Sequence, residues 1–301
     1  MLNVLDIFSG IGGFSIGLEA VGLQTVAFCE INPFCQKILT RHWPSIPIFS
    51  DITTINKEDL KTLPRIDVIA GGFPCQDISV AGKGGGINAK RSGLWKEYKR
   101  LINEIKPKYA IIENVANLRS TGLIRVLQDL WKIGYDAEWH CIPASAFGAP
   151  HRRDRIWIIA HPACIGKVGL SIGKEETESS LGDGCKNASN PDCKRLQRHR
   201  RFKKTSLICT QEQVSVHHSS RGIKQWDKEP LEAPRLKDDR LNPDWVEWLM
   251  GYPISWTEGG SRMQRLQSLG NAVVPLIPEF LGKVVVDHYE SPRTYKNAYE
   301  N

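Results

Sequence analysis

The chain has 301 residues, a formal net charge of +7 and a pI near 8.9. Its 41% hydrophobic and 24% charged residues are typical of a soluble globular protein with one sizeable α/β core and a smaller module. No segment is long and apolar enough to cross a bilayer, and the first residues lack a signal-peptide pattern, so we expect a cytoplasmic protein without a membrane partner.

Residues 1 to about 160 alternate short β-branched runs with amphipathic stretches. The alternation predicts an α/β fold with a largely parallel sheet that is covered on both faces. Ligands of such sheets bind at the carboxyl ends of the strands. The predicted strands are NVLDIF, QTVAFCE, RIDVIAG, KYAIIEN, EWHCIPA and RIWIIAH, and the predicted helices include GGFSIGLEAVG, FCQKILTRHW and GLIRVLQDLWKIG.

A glycine-rich turn, DIFSGIGGFSIG, follows the first predicted strand. Such a turn lets the backbone approach a ligand and points the N–H groups of a helix start at it. Gly10 and Gly12 are followed by Ser15 where a dinucleotide fingerprint would have its third glycine. The turn therefore argues against a nicotinamide cofactor, although a tight turn without a ligand is also compatible with it.

Two acidic residues follow the next strands. Glu30 ends the second strand about twenty residues after the turn, where an acid can bond ribose hydroxyls, and Asp51 follows the third strand region. Each acid alone is as typical of a helix cap. Together with the glycine turn they favour a nucleoside ligand without a pyrophosphate, and S-adenosylmethionine is the obvious candidate.

The stretch GGFPCQDIS places a single thiol, Cys75, after two glycines and a proline at the end of the fourth strand. A free cysteine is more often a small buried hydrophobe than a nucleophile. Glu113 ends the fifth strand, where it either caps a helix or stays protonated and donates a hydrogen bond. Both residues are predicted to meet at the ligand edge of the sheet.

The segment HRRDRIW opens the last strand with Arg153 and Arg155 two residues apart. On an extended backbone this spacing would direct both guanidinium groups to one face. The alternative is an ordinary pair of surface arginines.

Residues 161–240 interrupt the alternation with a polar, glycine- and serine-rich region that carries 16 Lys or Arg against 11 Asp or Glu. We expect a small irregular domain or a long insertion here. Its run KRLQRHRRFKK is either a solvated loop or a phosphate-contacting surface. Cys164, Cys185, Cys193 and Cys209 lack the spacing of a zinc site, so no metal is expected.

Order returns from residue 241, and the apolar spacing after Pro278 predicts a closing amphipathic helix. If this helix packs on the first 160 residues, the middle region is an insertion. The expected organisation is a catalytic domain over residues 1–160, a target-recognition region over residues 161–240, and a C-terminal segment over residues 241–301 that returns to the catalytic domain.

Five motifs in order, DIFSGIGG, GGFPCQDIS, ENV, HRRDR and GNAVVP, closely resemble those of the DNA (cytosine-5)-methyltransferases of bacteria and their phages. The resemblance covers nearly the whole chain except residues 161–240. His151 departs from it, because the family usually has glutamine there, and the segment before GNAVVP matches only loosely. The resemblance implies a Rossmann-like, S-adenosylmethionine-dependent methyltransferase sheet with a small irregular target-recognition domain.

The resemblance also implies roles for the catalytic residues. Cys75 would add to carbon 6 of cytosine, and Glu113 would hydrogen-bond ring nitrogen 3 and the exocyclic amine. Arg155, with Arg153, would bind the carbonyl oxygen of the base. The target base would be flipped out of double-stranded DNA.

The family further implies which residues hold the cofactor. Phe8, Gly10 and Gly12 would line the methionine and adenosine, Glu30 the ribose and Asp51 the adenine amine. The rest of the wall would be formed by Pro74, Leu94, Asn271 and Val273.

The sequence fits three other classes of protein less well. A transfer-RNA cytosine methyltransferase shares the fold, but its second cysteine motif, C-F-T, is absent. A silent DNA-binding module would not need the intact thiol, glutamate and arginines, and Ser15 disfavours an oxidoreductase. We expect a monomer, and a cognate restriction endonuclease is compatible with the sequence but not demanded by it. The recognition sequence cannot be read from residues 161–240.

Overall fold

The computed structural model describes residues 1–74, 93–163 and 226–290. Within them nine strands form two sheets. The strands are β1 (Asn3–Ile7), β2 (Gln24–Cys29), β3 (Ile48–Phe49), β4 (Val68–Gly72), β5 (Tyr109–Val115), β6 (Tyr135–Ile142), β7 (Arg155–Pro162), β8 (Leu236–Lys237) and β9 (Arg240–Leu241). The first seven form one sheet in the order β3-β2-β1-β4-β5-β7-β6, and the last two form a small hairpin.

The helices flank this sheet and close the chain. They are α1 (Gly13–Glu19), α2 (Pro33–His42), α3 (Lys57–Lys61), α4 (Leu94–Ile105), α5 (Leu118–Thr121), α6 (Leu123–Lys132), α7 (Pro243–Met250), α8 (Arg262–Asn271) and α9 (Leu276–Glu290), with a short 3-10 helix at Ala144–Phe147. Two of the long helices begin where the side chain of an asparagine at the N-cap accepts backbone N–H groups, Asn32 before α2 and Asn242 before α7.

The predicted α/β fold is confirmed, and each predicted strand of the first 160 residues overlaps an observed one. Neighbouring strands from β3 to β5 pair in parallel, whereas β7 is antiparallel to both β5 and β6. The connection between β6 and β7, residues 143–154, contains only the short 3-10 helix. Without a helix that crosses over the sheet, the chain turns back and β7 pairs antiparallel to β6.

Alternate residues of the central strands fill two apolar clusters, one on each face of the sheet. One cluster contains Val4, Phe14 and Trp157 together with the apolar side of α9, and the other contains Leu5, Trp95 and Tyr98 of the opposite layer. Burial on both faces is the reason that β1 and β5 have nearly continuous apolar sequences.

The closing helix α9 packs against α1, as expected for a segment that returns to the core. A Cβ atom on Gly17 would overlap the Pro275 carbonyl oxygen, and one on Gly282 would lie 2.9 Å from a Leu18 methyl. The two helices therefore approach through glycines. Pro278 lies in the first turn of α9, where the missing N–H removes no intrahelical hydrogen bond.

In the described part of the chain, one segment, Arg262–Glu290, is long and apolar enough to cross a membrane by length and composition. It is divided into α8 and α9, and 67% of its apolar window is buried inside the protein, as in a core helix.

Several predictions from the sequence fall outside the described residues. They concern Cys75, the basic run of residues 194–204 and the cysteines between residues 164 and 209. The three domain boundaries remain predictions.

Candidate active site

The glycine turn after β1 has the backbone of a ligand-binding loop. Gly10 and Gly12 have φ angles of 54° and 85°, and Phe8 has a φ of 54°, which is unusual for a side chain with a Cβ. A Cβ on Gly10 would meet nothing within 4 Å, so open space lies over the loop. A non-glycine residue in this conformation costs on the order of 1–3 kcal/mol and persists only where its surroundings hold it.

Glu30 is one of the residues that hold the glycine loop in this conformation. One oxygen of its carboxylate accepts the backbone N–H of Gly10 and the other accepts that of Asn32, both at 2.7 Å. Burial raises the pKa of Glu30, and these backbone N–H groups oppose the shift. The acid predicted to reach a ribose therefore also ties the end of β2 to the glycine loop.

Asp6, at the end of β1, is a polar group that the sequence prediction missed. It is fully buried; its Oδ2 accepts the Ser15 hydroxyl at 2.8 Å, and its Oδ1 has no hydrogen-bond partner among the described residues. Burial raises its pKa from 3.8 to about 7, and the Ser15 hydrogen bond opposes this. Ser15, which stands where a dinucleotide fingerprint would have its third glycine, thus donates a hydrogen bond to Asp6. The signal was available as an acid inside an otherwise apolar strand.

The other predicted cofactor residues on the first half of the sheet have identifiable positions. Asp51 is half-buried, and its Oδ1 accepts both the N–H and the hydroxyl of Thr53 at 2.8 Å, which lowers its pKa. Leu94 begins α4 and packs against the same apolar cluster as Phe8. Pro74 is half-buried, two residues beyond the end of β4.

Asn271 and Val273 come to the same region from the far end of the chain. Asn271 is the exposed last residue of α8, and Val273 is buried. The hydroxyl of Tyr252 donates to the Val273 carbonyl at 2.9 Å, and a Cβ on Gly13 would lie 2.8 Å from a Val273 methyl. The segment after α8 is therefore packed directly on the first turn of α1.

Glu113 and Arg155 form the central ion pair of the site. Arg155 Nε donates to Glu113 Oε1 at 2.9 Å, and the two side chains are only 21% and 12% exposed, respectively. Glu113 lies on β5 and Arg155 begins the antiparallel neighbour β7. Burial raises the pKa of Glu113, and the charges of Arg155 and then Arg153 oppose the shift. The net direction of the shift is upward.

The two glycines of GGFPC are explained by this packing. A Cβ on Gly72 would overlap Glu113 Oε2, and one on Gly71 would overlap the Ile7 carbonyl oxygen. The buried Asn114 side chain donates to the Phe73 carbonyl at 3.0 Å, so the chain that leads to Cys75 is held beside Glu113. Gly72 and Asn114 were not predicted as functional residues.

Arg153 corrects one prediction. Its φ is 38° and it precedes β7, so the argument that an extended backbone carries both arginines is wrong. Its Nη2 donates to the carbonyls of Gly270 and Ala272 at 2.8 and 2.6 Å, and its buried Nε has no partner in the described chain. Burial, and next the charge of Arg155, lower its pKa to about 10. Arg153 thus joins the site to the end of α8.

Three cysteines belong to the described residues. Cys29 and Cys35 are buried, and burial raises the pKa of each thiol to about 12, which opposes formation of a thiolate. Cys141 is exposed on β6, and partial desolvation of its thiol also raises its pKa. None of the three is a good nucleophile, and the described residues contain no cluster of metal ligands.

The family model for C-5 cytosine-specific DNA methylases matches residues 2–228. The chain belongs to this family. The match spans both the glycine turn and the Glu113–Arg155 pair.

Relatives with known assignments agree. The chain is 35% identical over 167 residues to the type II methyltransferase M2.BsuMI of Bacillus subtilis (strain 168), covering 53% of this chain and 42% of that one. It is 27% identical over 332 residues to M.DsaV of Dactylococcopsis salina, covering 99% and 90%. The chain spans less than half the length of the first three relatives that it matches.

A solved structure shows the same fold. A DNA modification methyltransferase encoded within an E. coli prophage superimposes with a TM-score of 0.62 at 20% identity, covering 96% of this chain and 100% of that one. The predicted Rossmann-like methyltransferase fold is confirmed.

His151 is the residue at which this family member departs from the expected glutamine. Its Nε2 lies 3.0 Å from the Leu249 carbonyl oxygen on α7, and burial lowers its pKa. Because a carbonyl oxygen can only accept, His151 Nε2 carries the hydrogen and donates this bond. A glutamine amide could donate the same bond, so the substitution leaves the link to α7 in place.

Proposed function

We propose that this chain transfers a methyl group from S-adenosylmethionine to carbon 5 of cytosine within a short, specific sequence of double-stranded DNA. The observation that carries the proposal is the buried Glu113–Arg155 pair beside the glycines that precede Cys75. Membership of the cytosine-specific methylase family supports it.

The residues of the first half of the sheet fit the cofactor. The space over Gly10 can receive it. The buried Asp6 Oδ1, which has no hydrogen-bond partner among the described residues, is suited to a ligand that carries a hydrogen-bond donor. When bound, S-adenosylmethionine supplies an electrophilic methyl group. The residues that would hold it are Phe8, Gly10, Gly12, Glu30, Asp51, Pro74, Leu94, Asn271 and Val273.

Cys75 is the nucleophile of the proposed reaction. Carbon 5 of cytosine is too weak a nucleophile by itself, so the Cys75 thiolate adds to carbon 6 and forms a sulfur–carbon bond. The electron pair of the ring double bond moves toward carbon 5, which becomes an enamine carbon. After methylation, the carbon 5 proton passes to a solvent water that acts as base, the thiolate leaves carbon 6, and the aromatic ring is restored.

Glu113 and the arginines stabilise the charge that this addition creates. Burial favours the protonated form of Glu113, which donates its proton to ring nitrogen 3 and accepts from the exocyclic amine. The proton returns to Glu113 when the thiolate leaves. Arg155, with Arg153 behind it, orients the Glu113 carboxyl and binds the carbonyl oxygen of the base.

The substrate must present an extrahelical base, because carbon 6 inside a duplex cannot be reached by a thiol. Flipping costs a few kcal/mol of stacking and pairing. We expect a monomer that acts in the cytoplasm, with residues 161–240 contacting DNA. Such an activity would serve a restriction-modification system or the protection of phage DNA.

Conversion sequencing of unmethylated plasmid DNA, incubated with S-adenosylmethionine and either wild type or Cys75→Ser, tests the function. We expect methylation by wild type only, confined to cytosines of one short motif. Equal methylation by Cys75→Ser would overturn the role of the thiol. If folded wild type that binds the cofactor leaves DNA unmodified but methylates transfer RNA, the DNA assignment is wrong.

A further inference from the structure

The segment between α7 and α8, residues 251–261, lies against the glycine loop although it is distant in sequence. The indole Nε1 of Trp256 donates to the Ile11 carbonyl at 2.9 Å, across 245 positions of the chain. Ile11 stands between Gly10 and Gly12, the two glycines with positive φ. A residue near the C-terminus therefore fixes the peptide at the centre of the cofactor loop.

The other anchors of the loop come from the first strands. Glu30 accepts the Gly10 N–H, and the Gly12 N–H donates to the Ser9 carbonyl at 2.9 Å. Neither bond constrains the Ile11 carbonyl, which points to Trp256. Phe8, a non-glycine residue with a positive φ, strains this loop, and such strain is retained only where the surroundings over-determine it.

The Trp256 ring is itself held in place. It stacks on the His42 ring with centroids 3.5 Å apart and planes 2° from parallel, and Trp43 packs edge-on at 5.8 Å. His42 Nε2 lies 3.0 Å from the Trp256 carbonyl oxygen. These contacts fix the plane of the indole and aim its N–H at the Ile11 carbonyl.

The backbone next to Trp256 is anchored by a buried polar cluster. The Thr257 N–H donates to Glu247 Oε1 at 2.7 Å, and the Thr257 hydroxyl bonds the same oxygen. Arg265 Nη2 bonds that oxygen at 2.9 Å, and Arg265 Nε donates to the Thr257 hydroxyl. Glu247 is fully buried. These bonds therefore hold the backbone next to Trp256 in place.

We propose that Trp256 is a positioning residue for the cofactor: its indole N–H, aligned by the His42 stack, holds the glycine loop in the conformation that binds S-adenosylmethionine. The inference rests on the proposed function, because it assigns the loop to that ligand. Trp256 belongs to none of the motifs recognised in the sequence. It acts on the glycine loop and is not one of the residues proposed to line the ligand.

Trp256→Phe tests the inference, because phenylalanine keeps an aromatic ring beside His42 and removes the N–H together with the five-membered ring of the indole; the Trp245→Phe control loses the same atoms. We expect the Kd for S-adenosylmethionine, measured by calorimetry, to rise about three- to tenfold, as for loss of one hydrogen bond. At saturating cofactor, kcat should stay within about twofold of wild type, since the Glu113–Arg155 pair is untouched. Amide exchange in the loop should become faster.

Trp245→Phe is the matched control. Trp245 also donates its indole N–H, to the Glu229 carboxylate, but on α7 and away from the loop. Its Kd for the cofactor should equal that of wild type. The His42→Ala variant, which removes the stack, should weaken cofactor binding in the same direction as Trp256→Phe.

The outcomes separate the two proposals. If wild type binds S-adenosylmethionine and Trp256→Phe binds it equally well, the positioning role is overturned and the proposed function stands. A fall in kcat at saturating cofactor with unchanged Kd would also overturn it. If folded wild type does not bind S-adenosylmethionine, the proposed function fails first.

Discussion

Two buried glutamates, Glu30 after β2 and Glu113 on β5, lie at the carboxyl ends of strands in the same sheet but have different partners. Glu30 is bonded by backbone N–H groups, whereas Glu113 is paired with the Arg155 side chain. Burial raises the pKa of both. The difference separates a half of the site in which a carboxylate holds the glycine loop from a half whose carboxyl group, in the proposed reaction, transfers a proton.

The comparison explains why the two halves should respond differently to change. Backbone donors are fixed by the fold, so Glu30 acts as an anchor with one geometry. For Glu113, burial raises the pKa and the side-chain cation of Arg155 opposes the shift, as is typical of groups in functional sites. Variants of the first half should alter cofactor binding, and variants of the second half should alter turnover.

Glu113→Gln should have the largest effect. An amide can occupy the same space but cannot transfer a proton to ring nitrogen 3, so we expect kcat to fall about 10²- to 10⁴-fold. The Kd for S-adenosylmethionine should be unchanged. The pH profile of kcat should also lose the limb that reflects deprotonation of the acid. A variant with wild-type kcat would remove Glu113 from the proton transfer.

Asp6→Asn tests the buried acid of the loop half. The folded-state pKa of Asp6, about 7, lies above the unfolded value of 3.8, so wild type loses stability as pH rises through this range. The asparagine oxygen still accepts from Ser15. Relative to the variant, wild type should lose up to about 4 kcal/mol between pH 4 and pH 8.

Urea denaturation across that pH range measures the Asp6 effect. The gap between the two unfolding free energies should widen from pH 4 to about pH 7 and then level off. A gap that is independent of pH would show that Asp6 does not titrate in this interval.

Gly72→Ala should damage the proton-transfer half without touching the loop. The added Cβ would overlap Glu113 Oε2, and a displacement of about 1 Å can reduce turnover on the order of 10²-fold. We expect kcat to fall about 10- to 100-fold at constant cofactor affinity. In a Glu113→Gln background the same change should add little, because both act on one carboxyl. Fully additive effects would contradict this mechanism.

Glu30→Gln should have the smallest effect and only on binding. The amide oxygen can keep one backbone N–H, but the other N–H then faces an amide donor. We expect the Kd for S-adenosylmethionine to rise about tenfold, equal to about 1.4 kcal/mol, with kcat at saturating cofactor unchanged. If kcat falls while Kd is constant, the division of the site into two halves is wrong.

The recognisable motifs predicted most of the strands and the residues at their ends. Period-two and apolar patterns located β1, β2, β4 and β5, because strands buried on both faces need near-continuous apolar sequence. The ordering of strands then brings Glu30, Glu113 and the glycine turn to one edge, as expected for parallel strands. The antiparallel β7 did not follow from its sequence pattern, which is the same for either direction.

Residues that act through packing were not visible in the sequence. In the sequence, Gly72 is recognisable only as one of two glycines before Cys75, but its role depends on where the Glu113 carboxylate lies in the neighbouring strand. Arg153 was assigned by an extended-backbone argument that its φ of 38° contradicts. Both depend on contacts between strands that are far apart in the chain.

The sequence by itself determined the fold class, the family resemblance and the order of the charged residues along the strands, because these depend on local patterns and on motif identity. Only the tertiary structure decided the partners of those charges. Trp256 meets Ile11, Arg153 meets the end of α8, and Glu113 meets Arg155. Such pairings join distant parts of the chain, and packing rather than local sequence selects them.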